Sequence, residues 1–561
     1  MKPLFKIVIC LFAALYITAA CKDSDDEGIS GFTIDTQEIT LAAEGGTEIV
    51  NVASGTKWVA KVSEPWVKVI PANGIGTTEC QVVIDTTLAN KVRNAIVTFV
   101  PEGQERHQLE IHQTGYGKMI GLSEENVKVA NMAIADKRFF EVSVTTNVRF
   151  DVNYDRSSWV TTIKKTPDIS FDNGARPRTI KMRFNWEMNP NAEERTVEIR
   201  FTPKDPEAAE VVMTVTQEAA PEITPDRRGD SIALVIASAK MRSMVNWDTS
   251  ERLEYWQGVT VWEKTDEGVT EEMIGRVRSA EFRMLNTKEG LPLEIGKITY
   301  LESLVIFGNT NIMLLPSDFK IGNALANLEH LKRLTIGGYG ITTISKSELA
   351  QPSRTLEYLD LESNSFERIP YDLTPANYPK LESLSLNGMR RYTIKDLNNE
   401  SREHIGLKLR ADDYSLKNLF KWEKLKALSL SYNLIYGKLP NFLNTNGAPE
   451  YGVSVYTDAD IQKNDTLSSA SEEVKAKLKT VPKILPNVEY LSLNLNFLSG
   501  DDLPDWLLYH PRFARFDPFT LIYTQESGLD MDGNVPGFKN EPANLEWFYE
   551  RYPKARPTII D

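Results

Sequence analysis

The chain has 561 residues, 41% of them hydrophobic and 25% charged, which excludes an intrinsically disordered protein and points to three or four domains. Its formal net charge of −14 argues against a nucleic-acid binder, which needs a basic footprint. Of three cysteines, Cys10 and Cys21 fall at the start of the chain and Cys80 stands alone, so no structural disulfide is expected and the domains must hold by core burial.

Met1 to Lys6 carries two lysines, and Ile7 to Ala20 contains no charge, the charged-then-apolar layout of a secretory signal. That run is shorter than the about 20 apolar residues a membrane span requires. It ends in Thr18-Ala19-Ala20-Cys21, which resembles the lipobox read by bacterial lipoprotein signal peptidase, with Thr18 where Leu, Val or Ile is usual. The resemblance implies a signal peptide over 1–20 and fatty acylation (palmitate) of Cys21. The acidic stretch Lys22 to Gly28, part of a leash over 21–30, is similar to the segment that follows the lipid cysteine in surface-exported lipoproteins of the Bacteroidetes. This implies an outer-membrane location facing the medium, with the membrane itself a partner through the anchor.

From Phe32 to Gly115 short runs alternate apolar and polar residues, as in Glu48-Ile49-Val50-Asn51-Val52, between turns such as Glu44-Gly45-Gly46 and Asn73-Gly74. Several such runs predict a β-sandwich over 31–116. The stretch over 117–217 copies the plan. Trp66, Arg93 and Gln113 find counterparts in Trp159, Arg195 and Gln217, at spacings of 27 and 20 residues against 36 and 22. These residues, with Trp58 and Gly74, resemble the BACON family (Bacteroidetes-associated carbohydrate-binding often N-terminal), immunoglobulin-like sandwiches. The resemblance implies either spacer modules or, as an alternative, glycan capture on Trp58, Trp66 and Trp159, because exposed indole faces stack on sugar rings.

The segment 218–229 is rich in proline and charge and reads as a linker. After it, L-x-x-L-x-L with a following asparagine recurs as Leu301-Leu304-Ile306-Asn309, Leu356-Leu359-Leu361-Asn364, Leu425-Leu428-Leu430-Asn433 and Val488-Leu491-Leu493-Asn496. Leu331-Leu334-Ile336 and Leu381-Leu384-Leu386 lack the asparagine, and Val277-Ala280-Phe282 is a degenerate first copy. Starts at 277, 301, 331, 356 and 381 lie 24, 30, 25 and 25 residues apart. The first, fourth and sixth positions are expected to point into a shared core, with the asparagine amide satisfying backbone groups where the chain leaves the strand. With Leu-Pro or Ile-Pro steps such as Ile369-Pro370 and Leu439-Pro440, the array is similar to plant-type leucine-rich repeats, which implies an α/β solenoid over 277–561 behind an N-terminal helical cap over 230–276. Longer gaps over 391–422 and 444–480 are candidate binding loops on one rim.

The expected architecture is therefore multidomain: two all-β immunoglobulin-like sandwiches followed by an α/β leucine-rich-repeat solenoid with an N-terminal helical cap. The third, fifth and seventh positions of each repeat should project from one face, and Phe307, Arg333, Tyr358, Asp360 and Tyr490 are its candidate ligand contacts. The ligand class is an extracellular protein, peptide or glycan. Five scattered histidines, with no His-Glu-x-x-His, Gly-x-Ser-x-Gly or cysteine-pair motif, give no sign of an enzyme, a cofactor or a metal, and Asp530-Met531-Asp532-Gly533-Asn534 reads as an acidic turn rather than a calcium loop.

Overall fold

The protein is described from a computed structural model, in which residues 31–170, 175–243, 247–283, 290–308, 319–392, 404–500, 503–512, 525–526, 532–534 and 537–538 are placed. The proposed signal segment, Cys21 and its leash, Asn309, Asp530 and Met531 lie outside the described residues.

The first unit contains β1 (Phe32–Ile34), β2 (Glu38–Leu41), β3 (Gly46–Val62), β4 (Val67–Ile70), β5 (Asn73–Ile84), β6 (Arg93–Pro101) and β7 (His107–Gln113). All seven belong to one hydrogen-bonded sheet. The reason is β3, whose 17 residues exceed the usual 3–10 of a strand. Its first half pairs with β5, and after a register shift between Ser54 and Trp58 its second half pairs with β6. The buried Ser54 hydroxyl donates to the Thr56 carbonyl at 2.8 Å and stabilises this irregularity. Val50, Val52, Trp58, Val97 and Phe99 fill the core.

The second unit comprises β8 (Ile120–Leu122), β9 (Asn126–Val129), β10 (Phe139–Thr146), β11 (Phe150–Asn153), β12 (Val160–Thr161), β13 (Arg178–Trp186), β14 (Arg195–Pro203) and β15 (Val211–Gln217). They form two four-stranded sheets, β12-β13-β10-β8 and β11-β14-β15-β9, over a core that includes Val144, Phe150, Phe184 and Phe201.

The segment read as a linker is in part the start of helix α1 (Arg227–Lys240). Asp226 caps it, accepting from the Gly229 amide at 2.8 Å, so the end of the segment read as a linker is a helix start. Asp230, in its first turn, is 1% exposed and makes a bidentate pair with Arg276, both contacts at 2.8 Å, while accepting the Val277 amide at 3.0 Å. A buried pair of this kind fixes α1 against the start of the first repeat strand.

The repeats supply β16 (Val259–Val261), β17 (Val277–Arg283), β18 (Ser303–Phe307), β19 (Arg333–Gly337), β20 (Tyr358–Asp360) and β21 (Ser383–Ser385). After a hairpin of β22 (Arg391–Tyr392) and β23 (His404–Ile405) come β24 (Ala427–Ser429), β25 (Tyr436–Gly437), β26 (Tyr490–Ser492), β27 (Phe497–Gly500) and β28 (Gly537–Phe538). An eight-stranded sheet runs β16-β17-β18-β19-β20-β21-β24-β26, antiparallel at β16 and parallel thereafter. Register is constant along it, so Ala280, Leu304, Leu334, Leu359, Leu384, Leu428 and Leu491 form one buried row. Behind the strands Asn364, Asn433 and Asn496 are fully buried. Asn433 donates to the Leu386 and Leu430 carbonyls at 2.9 and 2.8 Å and accepts the Met389 amide at 2.9 Å, a bridge between neighbouring turns that Asn364 and Asn496 repeat.

The expected fold class needs correction. Among the described residues the structure is mostly β-sheet with few helices, and the first unit is one continuous sheet because β3 serves both layers. The repeat sheet stays open instead of winding into an α/β solenoid. Its strands are connected by turns and short helical turns, as at Leu293–Lys297 and Pro352–Thr355. Proline steps such as Ile369-Pro370 and Leu439-Pro440 deny these segments the backbone donors a longer helix requires.

Replacing Asp230 with alanine strands the Arg276 guanidinium, which is 6% exposed, in the interior. The expected loss is about 3–5 kcal/mol in guanidinium-induced unfolding followed by tryptophan fluorescence.

Candidate functional site

The face of the eight-stranded sheet opposite the leucine row carries the third, fifth and seventh positions of each repeat in three rows, of which the fifth-position row, Asp360 included, is largely buried. One row reads Tyr358, Ser383, Ala427, Tyr490, and the next Asp360, Ser385, Ser429, Ser492. Alternation of side chains along each strand makes these rows a direct consequence of constant register.

Four of the five candidate contacts come together on adjacent strands. Phe307 lies opposite Gly337 in the β18–β19 register. A Cβ on Gly337 would sit 2.4 Å from the Phe307 ring and 3.0 Å from the Glu362 carbonyl, so only glycine lets the ring lie flat there. Beside it the Arg333 guanidinium covers the Tyr358 ring at 4.3 Å from its centroid. The Tyr358 hydroxyl donates to Asp360 Oδ2 at 3.2 Å, and Asp360 Oδ1 accepts the Glu362 amide at 3.0 Å. Burial, reinforced by the Asp360 carboxylate, pushes the Tyr358 hydroxyl up to about 12. Burial and the same carboxylate raise Glu362. Glu362 is a member of the cluster that sequence reasoning did not single out, although its seventh-position spacing placed it on this face. Tyr490, 44% exposed, stands apart on β26, three strands from Tyr358.

At the entry to these strands, on the rim of the face, Glu302 bridges Arg278 at 2.6 Å and Lys332 at 3.0 Å, a charge ladder that adds little energy but orients the rim. The gap over 444–480, expected as a candidate binding loop, is largely helical in its second half. It contains three short helices, Asp458–Lys463, Asp465–Ser468 and Glu472–Leu478, around a small core of Tyr456, Ile461, Leu467 and Leu478.

The tryptophans of the alternative glycan site are structural. Trp58 is 1% exposed, with Phe99 at 5.6 Å between ring centroids, and a Cβ on Gly74 would lie 2.9 Å from its ring. Trp66 packs on the core of its unit and is covered by Arg93, 4.1 Å from the ring centroid. Arg93 Nε donates to the buried Gln113 at 2.7 Å, and Gln113 Nε2 reaches the carbonyls of Ala42, Ala43 and Asp85. The second unit repeats this arrangement atom for atom: Arg195 covers Trp159 at 4.6 Å and donates to Gln217 at 2.8 Å, and Gln217 Nε2 reaches the carbonyls of Ala130, Asn131 and Glu187. The three residue types that marked the duplication are therefore a clamp holding strand ends together.

No known protein family matches the chain, and no curated protein does. Among solved structures, a xyloglucanase of Bacteroides ovatus in complex with a XXXG heptasaccharide is 18% identical over 19% of this chain and 23% of its own, at a TM-score of 0.16. The chain thus spans under a quarter of that enzyme. A protein of unknown function from Porphyromonas gingivalis W83 is 7% identical over 33% of this chain and 99% of its own (TM-score 0.13), and the Pseudomonas aeruginosa CupB2 chaperone 10% identical over 32% and 98% (TM-score 0.13). Likeness at this level carries no argument about function. Neither a BACON nor a leucine-rich-repeat protein is named among these three.

Among the described residues no group of three or more His, Cys, Asp or Glu side chains is arranged to hold a metal ion, and no helix is long and apolar enough to cross a membrane.

Two outcomes are expected. Gln217→Leu strips the clamp of its amide, leaving Arg195 and three carbonyls without that partner, and should cost about 2–3 kcal/mol in chemical denaturation. Because the Tyr358 pKa rises on folding from its ordinary 10 to about 12, the folded state holds a proton that the unfolded chain loses first. Its stabilisation is complete below pH 10 and declines as pH rises toward about 12. Thermal midpoints across that window should therefore fall more steeply for the native chain than for Tyr358→Phe, which shares the alkaline background of every other tyrosine.

Proposed function

We propose that the chain is a lipid-anchored protein of the outer-membrane surface that binds an extracellular protein, peptide or glycan on the exposed face of its eight-stranded sheet. Cys21 would carry the anchor, and the β-units over 31–217 would act as spacers rather than ligand modules. The observation that carries the reading is the cluster of Phe307, Arg333, Tyr358 and Asp360 on three adjacent strands. The strands' own backbone groups are engaged in the ladder, so recognition on this face falls to side chains, and a fixed aromatic with flanking charges is the kind of anchor that dominates binding. The Trp58, Trp66 and Trp159 rings are engaged in cores and clamps, which favours the spacer role for the units that contain them. The proposal is of a binding protein with no catalytic step.

Protease treatment of intact cells should degrade the native chain, and Cys21→Ser should release it from the membrane fraction. On an array of host proteins and glycans, Tyr358→Ala should weaken capture of whichever ligand the native chain retains by about tenfold. Unchanged capture would remove the face from consideration.

A further inference from the structure

We infer that the stretch of sheet between Tyr358 and Tyr490 is a subsite for a neutral oligosaccharide, lying across the strands with the two tyrosines as its walls. This deepens the binding-face reading above and rests on it. Tyr358 and Tyr490 occupy the same row, separated only by Ser383 and Ala427, so two aromatic side chains flank a floor of small residues. Three strand steps set them roughly 14 Å apart. Each step is close to the length of one pyranose ring in a linear chain, so successive sugars would meet successive strands.

The floor supplies hydroxyls and amides and no charge. The Ser429 hydroxyl donates to Asn387 at 2.8 Å, and Ser431 and Ser492 share a hydrogen bond. Ser385 differs from these neighbours. It is 9% exposed, its register places it in the second row of the face, and its Oγ has no hydrogen-bond partner among the described residues. A buried hydroxyl left unsatisfied costs free energy that a ligand hydroxyl would recover. Asp360 is the register neighbour of Ser385 and Arg333 lies on Tyr358, both at the Tyr358 end, while at the strand entry Lys426 and Glu382 neutralise each other at 2.6 Å. A peptide that bound by adding a strand would require backbone donors or acceptors that the parallel ladder has already used, and an anionic glycan would require a cation on the floor. A neutral polyhydroxylated chain needs neither. Its rings can rest on Tyr490 and on the side of Tyr358 opposite Arg333, while its hydroxyls complete the serine and asparagine row.

The mature chain can be run in affinity gels containing hydroxyethyl cellulose, arabinoxylan or galactomannan, with polygalacturonate as the charged comparison. Retardation by at least one neutral polysaccharide and none by polygalacturonate is expected. Tyr490→Ala and Ser385→Val should each weaken that retardation by about tenfold or more. Ser365→Ala, which alters a fully buried hydroxyl in the turn after β20, should leave it unchanged. Tyr490 is exposed enough for its loss to leave the fold intact, which circular dichroism verifies. Retardation that survives both face substitutions would place glycan binding elsewhere and overturn the inference. Absence of retardation in all three neutral gels would also overturn it. If a protein captured from the host array were lost in Tyr490→Ala, the binding face would stand while the ligand class proposed here fell.

Discussion

Parallel pairing without offset between successive repeat strands is the constraint on which the rest of the C-terminal region depends. Each strand of the ladder meets its neighbour at the same repeat position, from Leu304 opposite Leu334 to Leu428 opposite Leu491. Leucines therefore stack on leucines, and whatever occupies the positions between them must stack as well. The buried asparagines maintain that register. Their amides replace water for the backbone groups where the chain leaves the strand, and leaving such groups unpaired in an interior costs about 1–3 kcal/mol each. Because Asn433 reaches both its own repeat and the preceding one, it ties the height of one turn to the next. A surface whose rows are set this way is stiff, and its side chains are held in place before any ligand arrives.

The two N-terminal units meet the same requirement with different residues. Without a disulfide among their described residues, they close their strand ends through a tryptophan, an arginine and a glutamine. Gln113 and Gln217 are both 0% exposed, and each shares its two Nε2 hydrogens among three carbonyls while anchoring a guanidinium that lies on an indole. A buried amide fully satisfied in this way specifies one arrangement, since any slip of the strand ends strands several polar groups together. It also explains why the tryptophans are poor candidates for stacking on sugar: their faces are covered by the arginines and the cores. Aromatic residues available to a ligand lie instead on the repeat sheet.

The proposed binding face combines two chemistries. Around β18 to β20 it is charged and aromatic, with Arg333 on Tyr358 and Asp360 near Glu362. From β21 to β26 it is uncharged and small, ending at Tyr490. The transition follows the repeat-to-repeat change at a single set of positions: the third, fifth and seventh places set the chemistry of this face, while the first, fourth and sixth maintain the sheet.

Much of this organisation was legible in the chain itself. The L-x-x-L-x-L spacing located the strands, period two identified which side chains share a face, and the Trp-Arg-Gln correspondence marked the duplication, because each of these is a local consequence of strand geometry and burial. Glu362 and Ser385 were legible as face positions in the same way. What folding alone decided are the relations between distant segments: that β3 would cross between layers, that Asp230 would meet Arg276 across 46 residues, that Asp226 would cap a helix where a linker was expected, and that Phe307, Arg333, Tyr358 and Asp360 would cluster while Tyr490 stood three strands away. The expected α/β solenoid failed for the same reason, since strand periodicity fixes one face of each repeat and leaves the return path open. Those relations depend on register, close approach and the desolvation of charges, which arise only when segments far apart in the chain compete for the same interior.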